Sequence, residues 1–326
     1  MQEIASIENL QEAFLRAAKG KGTRKAVRDF RIRLDSNIKC MREELLDGTF
    51  LFGKYHFFTI FDPKKRIICA ACFPERVAFH AMMRICHPVF EAYQTENSFA
   101  SRIGKGTYAA LTKAKKYAGK YRWFVKLDVC KYFDSIHHDV LKRQLCRLFK
   151  DPLLLSYFSQ LINGYEVDKD RGVPIGNLTS QYFANHYLAV ADHYAKERIG
   201  CGAMVRYMDD VLMFSDNRHE LSRQIKEYML FLKSELQLDL HPPIINNTCH
   251  GVPFLGYIVY PYQLRLCQRS RHRFFHKMKK LTNMLEEEVI SQEEYSMRAQ
   301  CLMAFVKKAN TSSFLKYASQ KKGMYP

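Results

Sequence analysis

Tyr207-Met208-Asp209-Asp210 sits between the runs Ala203–Arg206 and Val211–Phe214, a pattern of two short strands joined by a tight turn with adjacent carboxylates at its tip. Two neighbouring carboxylates resist joint ionisation unless a cation neutralises them, so the turn reads as a platform for magnesium. The bland alternative is an Asp-rich hairpin turn without chemistry, and the tetrapeptide alone does not decide.

The surroundings do more. Upstream, Arg122–Asp128 is an aromatic and β-branched run ending on a carboxylate, the way a buried strand delivers a ligand. Asp128, Asp209 and Asp210 from two neighbouring strands suit two magnesium ions about 3.5–4 Å apart, one activating a hydroxyl and one steadying pyrophosphate. Asp134 is another acidic candidate for metal contact, but it reads first as the cap of a helix starting near His138. The Gly/Pro/Ser loop Gly172–Gln181 opens the apolar pattern Tyr182–Ala195 and lets backbone approach a sugar or base closely. In Arg66–Phe90, Pro74 and Glu75 open a helix, and Arg66 and Arg76 are candidates for triphosphate oxygens. Ser98–Thr107 carries Arg102, Lys105 and two glycines, a loop suited to phosphates or a template strand.

In order and spacing these segments resemble the reverse transcriptases. Arg66–Phe90 and Ser98–Thr107 are similar to the two finger motifs, Lys126–Ser135 to the motif of the first catalytic Asp, and Gly172–Gln181 to the template and nucleotide-positioning motif. Tyr207–Asp210 resembles the catalytic hairpin and Gly251–Tyr257 the primer grip. The resemblance spans roughly 50–262. It implies an α+β right-hand polymerase fold, with an N-terminal extension and fingers over 1–121, a palm over 122–262 with an insertion about 140–190, and a small helical thumb over 263–326. It also implies Asp128, Asp209 and Asp210 as the magnesium ligands, with the Val129 carbonyl and with manganese as a substitute. Phe133 matches the steric gate against a ribose 2′-hydroxyl, and Ile175, Gly176, Gln181, Arg66 and Arg76 fall at nucleotide-binding positions. Arg102, Lys105, Leu255, Gly256, Arg271 and Arg273 fall at template and primer positions.

Within the family, Ile175–Gln181 resembles diversity-generating retroelement enzymes, since most relatives place Gln at Ile175 and Pro at Gln181. An Ile removes a hydrogen-bonding group near the nucleotide sugar, which implies low fidelity, with errors at template adenines. The implied partners are a template RNA and its RNA/cDNA duplex, deoxynucleoside triphosphates, and a small oligomeric accessory protein on a basic surface. The alternatives are a phage-defence or other bacterial retroelement enzyme, a non-catalytic RNA-binding subunit, and an RNA polymerase, which Phe133 opposes. His241, followed by two prolines, stands where many relatives carry a lysine as general acid.

Composition agrees. Of 326 residues, 47% are hydrophobic, enough for a sizeable core, and a formal charge of +18 points to a polyanionic partner. The charge is clustered: Asn97–Leu127 holds eight Lys or Arg, Lys19–Arg33 holds seven, and Leu240–Leu285 is basic without an acidic residue. The first cluster is interleaved with aromatic residues suited to stacking on unpaired bases. The second leads into one expected helix with Phe30, Leu34, Ile38 and Leu45 at helical spacing. The ten cysteines are scattered, and Cys69-x-x-Cys72 has no second pair, so reduced thiols are expected rather than zinc. Met1–Leu15 lacks a signal-peptide pattern and no apolar run reaches about 20 residues, so the expected location is cytoplasmic with no membrane partner. After a helix at Glu220–Leu236, two short strands and terminal helices are expected.

Overall fold

A computed structural model of the chain describes residues 1–61, 65–311 and 314–315; most of the last dozen residues of the expected thumb lie outside the described residues. Along the chain the elements are α1 (Ile7–Ala18), α2 (Lys25–Ile32), α3 (Leu34–Asp47), β1 (Tyr55–Ile60), β2 (Arg66–Ala71), α4 (Phe73–Tyr93), α5 (Thr107–Lys120) and β3 (Trp123–Asp128). Then come α6 (Tyr132–Ser135), α7 (His138–Leu148), α8 (Pro152–Asn163), α9 (Leu178–Glu197), β4 (Met204–Tyr207), β5 (Asp210–Ser215) and α10 (Arg218–Glu235). The last are β6 (Ile244–Asn247), β7 (Val252–Phe254), β8 (Tyr257–Val259), β9 (Leu264–Leu266), α11 (Gln268–Glu286) and α12 (Gln292–Lys307).

These elements gather into two compact units that interleave in sequence. One comprises Met1–Gly104, Asp128–Gly200 and Lys226–His241; the other comprises Lys105–Leu127, Cys201–Ile225 and Pro242–Pro326.

In the first unit α4 is the spine, packed on α1, α2 and α9. Pro74 sits in its first turn, where a missing N–H costs nothing. Glu75, only 1% exposed, turns back to accept from the N–H groups of Gly53 (3.2 Å) and Lys54 (2.7 Å), which pins the β1–β2 hairpin to the helix. The hairpin is antiparallel, with Tyr55 opposite Ala71 and Ile60 opposite Arg66. Where the sequence predicts one helix through Phe30 and Leu45, the chain breaks at Arg33 (φ −118, ψ 40) into α2 and α3. The Asn37 side-chain amide donates to the Phe30 carbonyl at 2.9 Å, satisfying a group the break would otherwise orphan.

In the second unit a four-stranded sheet runs in the order β4-β5-β3-β6, and a smaller one in the order β7-β8-β9. Helix α5 buries Ala110, Leu111, Ala114 and Ala118 and packs against β4 and β8; α11 packs on α12. Four strands follow α10 where two are predicted. β6 pairs with β3, Trp123 opposite Asn247, and β9 completes the small sheet; runs of three or four residues are too short to show a period.

All ten cysteines are free, and Cys69 (β2) and Cys72 (the residue capping α4) belong to different elements. Among the described residues no helix is long and apolar enough to cross a membrane.

Candidate active site

The predicted hairpin forms, but the register Met204↔Met213 to Tyr207↔Asp210 leaves Met208-Asp209 as a two-residue loop, so only Asp209 sits at the tip and Asp210 already pairs in β5 rather than sharing the tip as expected. Met208 takes φ +56, the left-handed region, which costs a side-chain-bearing residue roughly 1–2 kcal/mol. Arg206, with 0% exposure despite its charge, lies beneath the turn and donates from Nη1 to the Met208 carbonyl at 3.1 Å. The Tyr207 hydroxyl accepts from Thr107 of α5 at 3.2 Å. The acidic turn is thus braced from below and from one side.

Asp210 opens β5, whose neighbour in the sheet is β3. From β3 the Lys126 ammonium reaches Asp210 Oδ1 at 3.1 Å and Oδ2 at 3.2 Å, and the two side chains are only 23% and 19% exposed. A carboxylate so sheltered from water needs a partner charge, and Lys126 supplies it. Asp128 ends the same strand two residues on, so by strand alternation it faces the same side as Lys126. Beyond it the backbone pairs onward: the Asp128 carbonyl accepts from His241 N–H (2.9 Å), Cys130 N–H donates to Asp239 (2.8 Å), and Val129 bridges Leu240.

Among the described residues no group of three or more His, Cys, Asp or Glu side chains is gathered to hold a metal as it stands. The donors nevertheless suit magnesium, being hard carboxylate oxygens, one of them already neutralised by a cation.

Phe133, Ile175 and Gly176 are brought together in the first unit. Val173 N–H donates to the Phe133 carbonyl and Gly172 N–H to that of Ile136, both at 2.9 Å, so the glycine loop is laced to α6. Its next residues pair with the β1–β2 hairpin: Cys69 N–H donates to the Ile175 carbonyl at 2.8 Å. Gly176 has φ +119, and a Cβ there would lie 2.7 Å from Ile68 Cγ2 and 3.1 Å from the Cys69 carbonyl; only glycine allows this approach. Gln181, exposed on the first turn of α9, accepts from the Ser101 hydroxyl at 3.3 Å. Arg66 is exposed at the outer start of β2, whereas Arg76 lies half-buried on α4.

Two expectations are corrected. Asp134 does not cap the helix after it: it lies within α6, and the His137 ring caps α7 by accepting from Asp139 N–H at 3.2 Å. Burial lifts the Asp134 carboxyl above its ordinary pKa, against the opposing pull of Lys131. Arg102 is not presented to a template. Its side chain is 8% exposed, its Nη2 lies 2.6 Å from Glu91, and Nη1 donates to the carbonyls of Thr95 and Ser98, so it folds the loop that carries it.

Lys105 precedes α5, and Leu255-Gly256 forms the β7–β8 turn with φ +48 and +86. The Ser270 hydroxyl, two residues into α11, donates to the Gly256 carbonyl at 2.7 Å, docking this turn on the helix that carries Arg271 and Arg273. Leu255, Thr107, Tyr108 and Phe305 line a recess of about 450 Å³.

The roles of Lys126 and Arg206 at the turn, and of Glu75 as acceptor for Gly53 and Lys54, are not among the sequence expectations. Arg206 left a signal, a lone guanidinium inside the apolar run before the turn; Lys126 left only its alternation with Asp128.

Residues 63–259, more than half of the chain, match the family model described as reverse transcriptase (RNA-dependent DNA polymerase). Among curated proteins the chain is similar to YkfC of Escherichia coli K12, 24% identical over 179 residues, 51% of this chain and 47% of that protein. It is also similar to the putative COX1/OXI3 intron 1 protein of Saccharomyces cerevisiae, 23% identical over 49% of this chain and 20% of that one. A third relative is the mitochondrial nuclear intron maturase 2 of Arabidopsis thaliana, 24% identical over 41% of this chain and 22% of that one. The match therefore spans about half or less of the curated relatives' length. The fold is similar to that of apo telomerase from Candida tropicalis, with a TM-score of 0.53 at 12% identity, covering 83% of this chain and 60% of that one. The mixed helix and sheet content, the motif order and the family match agree: the chain has the right-hand polymerase fold and belongs to the reverse transcriptases.

Proposed function

We propose that the chain is an RNA-directed DNA polymerase. The observation that carries this reading is the two-residue acidic turn Met208-Asp209, leading into Asp210, on a hairpin sheeted beside the strand that ends at Asp128. In this reading Asp128, Asp209 and Asp210, with the Val129 carbonyl, hold two magnesium ions, for which manganese substitutes. Bound there, the ions supply Lewis acidity to the attacking primer hydroxyl and the departing pyrophosphate. The chain's own residues do the rest. Lys126 neutralises Asp210 before metal arrives, and Arg206 holds the turn in its left-handed conformation. Phe133 is a wall that a ribose 2′-hydroxyl would overlap, so deoxynucleotides are favoured. Arg66 faces the triphosphate, Gly176 lets the backbone approach the nucleotide, and Lys105, Leu255, Gly256, Arg271 and Arg273 take template and primer.

The finer reading is a diversity-generating retroelement enzyme, located in the cytoplasm, copying a template-repeat RNA with errors at adenine and helped by an oligomeric accessory protein on a basic surface. What supports it is the segment Ile175–Gln181, which offers an aliphatic side chain and a Gln where a Gln and a Pro are usual in the family. Extension of a primed RNA template with deoxynucleotides, with every product sequenced, tests it. Substitutions concentrated opposite template adenines, reduced by Ile175→Gln, are expected; DNA copied with no excess error at adenine would overturn the finer reading and leave the polymerase reading standing.

A further inference from the structure

The N-terminal helices assemble cations around a place where, among the described residues, no carboxylate answers them. Phe14 of α1, Phe30 of α2 and Phe73 at the start of α4 pack as a triad, with centroids 5.7, 6.0 and 5.4 Å apart. That contact fixes the α1–α2 connection, which carries Lys21 and Arg24, beside the face of α4 on which Arg76 and His80 follow Phe73 at helical spacing. Arg31 joins them: its guanidinium lies over the Phe14 ring at 5.7 Å, and Nη2 comes within 4.0 Å of where a Cβ on Gly22 would stand. Arg76 is half-buried, yet among the described residues none of its five N–H donors has a protein acceptor. The carboxylate next to it, Glu75, is turned away to Gly53 and Lys54, Asp29 is taken by Lys25 at 2.7 Å, and Glu12 by Arg16 at 2.9 Å. Burial first, and then the charges of their neighbours, hold Lys21, Arg76 and His80 all below their ordinary pKa values.

Like charges are not packed this way for stability; the cluster suits an anion the protein lacks. It also continues as a track. From Lys19 to Arg33 there are seven basic residues and one acidic one, and Arg24, Arg28 and Arg31 recur along α2, so successive anions find successive partners. A nucleoside triphosphate offers one compact anion and would leave the track unused.

We propose that Lys21, Arg24, Arg76 and His80 form a backbone-phosphate site for an RNA strand, built wholly within the first compact unit, with Arg31 and Arg28 extending it. The guanidinium of Arg76 is the anchor, able to grip two phosphate oxygens at once, while Lys21 acts as a point charge and His80 as a neutral N–H donor. The site does not require the polymerase reading, because it needs neither magnesium nor nucleotide.

The test is fluorescence anisotropy of a labelled single-stranded RNA with the full chain, without magnesium or nucleotides, at several potassium chloride concentrations. The variants are Arg76→Gln with Lys21→Gln, and as a control Lys142→Gln, whose ammonium pairs with Asp139 on α7. The double variant is expected to bind about tenfold or more weakly and to flatten the slope of log affinity against log salt by roughly one to two, with the control unchanged. Its melting temperature is expected to hold or rise, since repulsion is relieved, so weaker binding is not read from a misfolded protein. A DNA strand of the same sequence is expected to lose affinity alike, because phosphates are what the site takes. Unchanged RNA affinity and slope in the double variant, an equal loss in the control, or a loss confined to tripolyphosphate binding would each overturn the proposal.

Discussion

His186 gives the structure a measurable acid sensitivity. It lies on α9 with 2% exposure, between the rings of Phe90 (5.6 Å) and Tyr93 (4.9 Å), and among the described residues neither ring nitrogen has a partner in good hydrogen-bond geometry. Burial lowers its pKa to about 4, against the opposing influence of the nearby Gln144 backbone. The unfolded chain accepts a proton near pH 6.5 and the folded chain does not, so stability falls as pH drops from 6.5 towards 4 and is flat below. At about 1.4 kcal/mol per pH unit the loss approaches roughly 3 kcal/mol at the acid end, and it is already about 2 kcal/mol at pH 5. His186→Leu keeps the volume and removes the titration. Its stability at pH 8 should lie within about 1.5 kcal/mol of the parent, and between pH 8 and 5 it should lose about 2 kcal/mol less. Urea unfolding of both proteins at four pH values measures the difference, with carboxylate titrations common to both cancelling. Parallel curves, or a His186 ring proton titrating near pH 6.5 in the folded protein, would refute the reasoning.

Glu75→Ala removes the acceptor of two backbone N–H groups and should cost roughly 2–4 kcal/mol, with faster hydrogen exchange at Gly53 and Lys54; unchanged exchange would contradict the pinning of the β1–β2 hairpin. Gly251→Ala forces a Cβ to 2.4 Å from Ile258 Cγ2 at φ +87, so a loss of roughly 2–4 kcal/mol is expected in thermal melts, and a loss below about 0.5 kcal/mol would be inconsistent with that geometry. Lys126→Met removes the ammonium that sits 3.1 Å from Asp210: the metal-free protein should lose roughly 1 kcal/mol, while manganese binding by calorimetry tightens several-fold. Unchanged manganese affinity would remove Lys126 from the account of that carboxylate.

The hairpin that presents Asp209 and Asp210 was legible because its signals are local: apolar runs on each side and acidic residues at the turn. β3 and the long helices α4, α9 and α11 announced themselves in the same way, by pattern over six or more residues. What stayed hidden depends on partners distant in sequence. Lys126 looked like one more cation in a basic run until β3 was placed beside β5. Arg102 looked exposed on a polar loop until Glu91 and two carbonyls enclosed it. The break at Arg33 interrupts a continuous apolar stripe, so periodicity alone runs through it. β6 and β9 are too short for any period, and their existence is decided by strands already in place.

The central claim is RNA-templated DNA synthesis at the Asp209-Asp210 turn. The most direct measurement is primer extension on an RNA template with magnesium, offering deoxynucleotides or ribonucleotides, for the parent and Asp209→Ala. DNA complementary to the template, made from deoxynucleotides in preference to ribonucleotides and abolished by Asp209→Ala, is the expected result. Synthesis that survives Asp209→Ala, or none from the parent on any primed RNA even with its native RNA and accessory protein supplied, would contradict it.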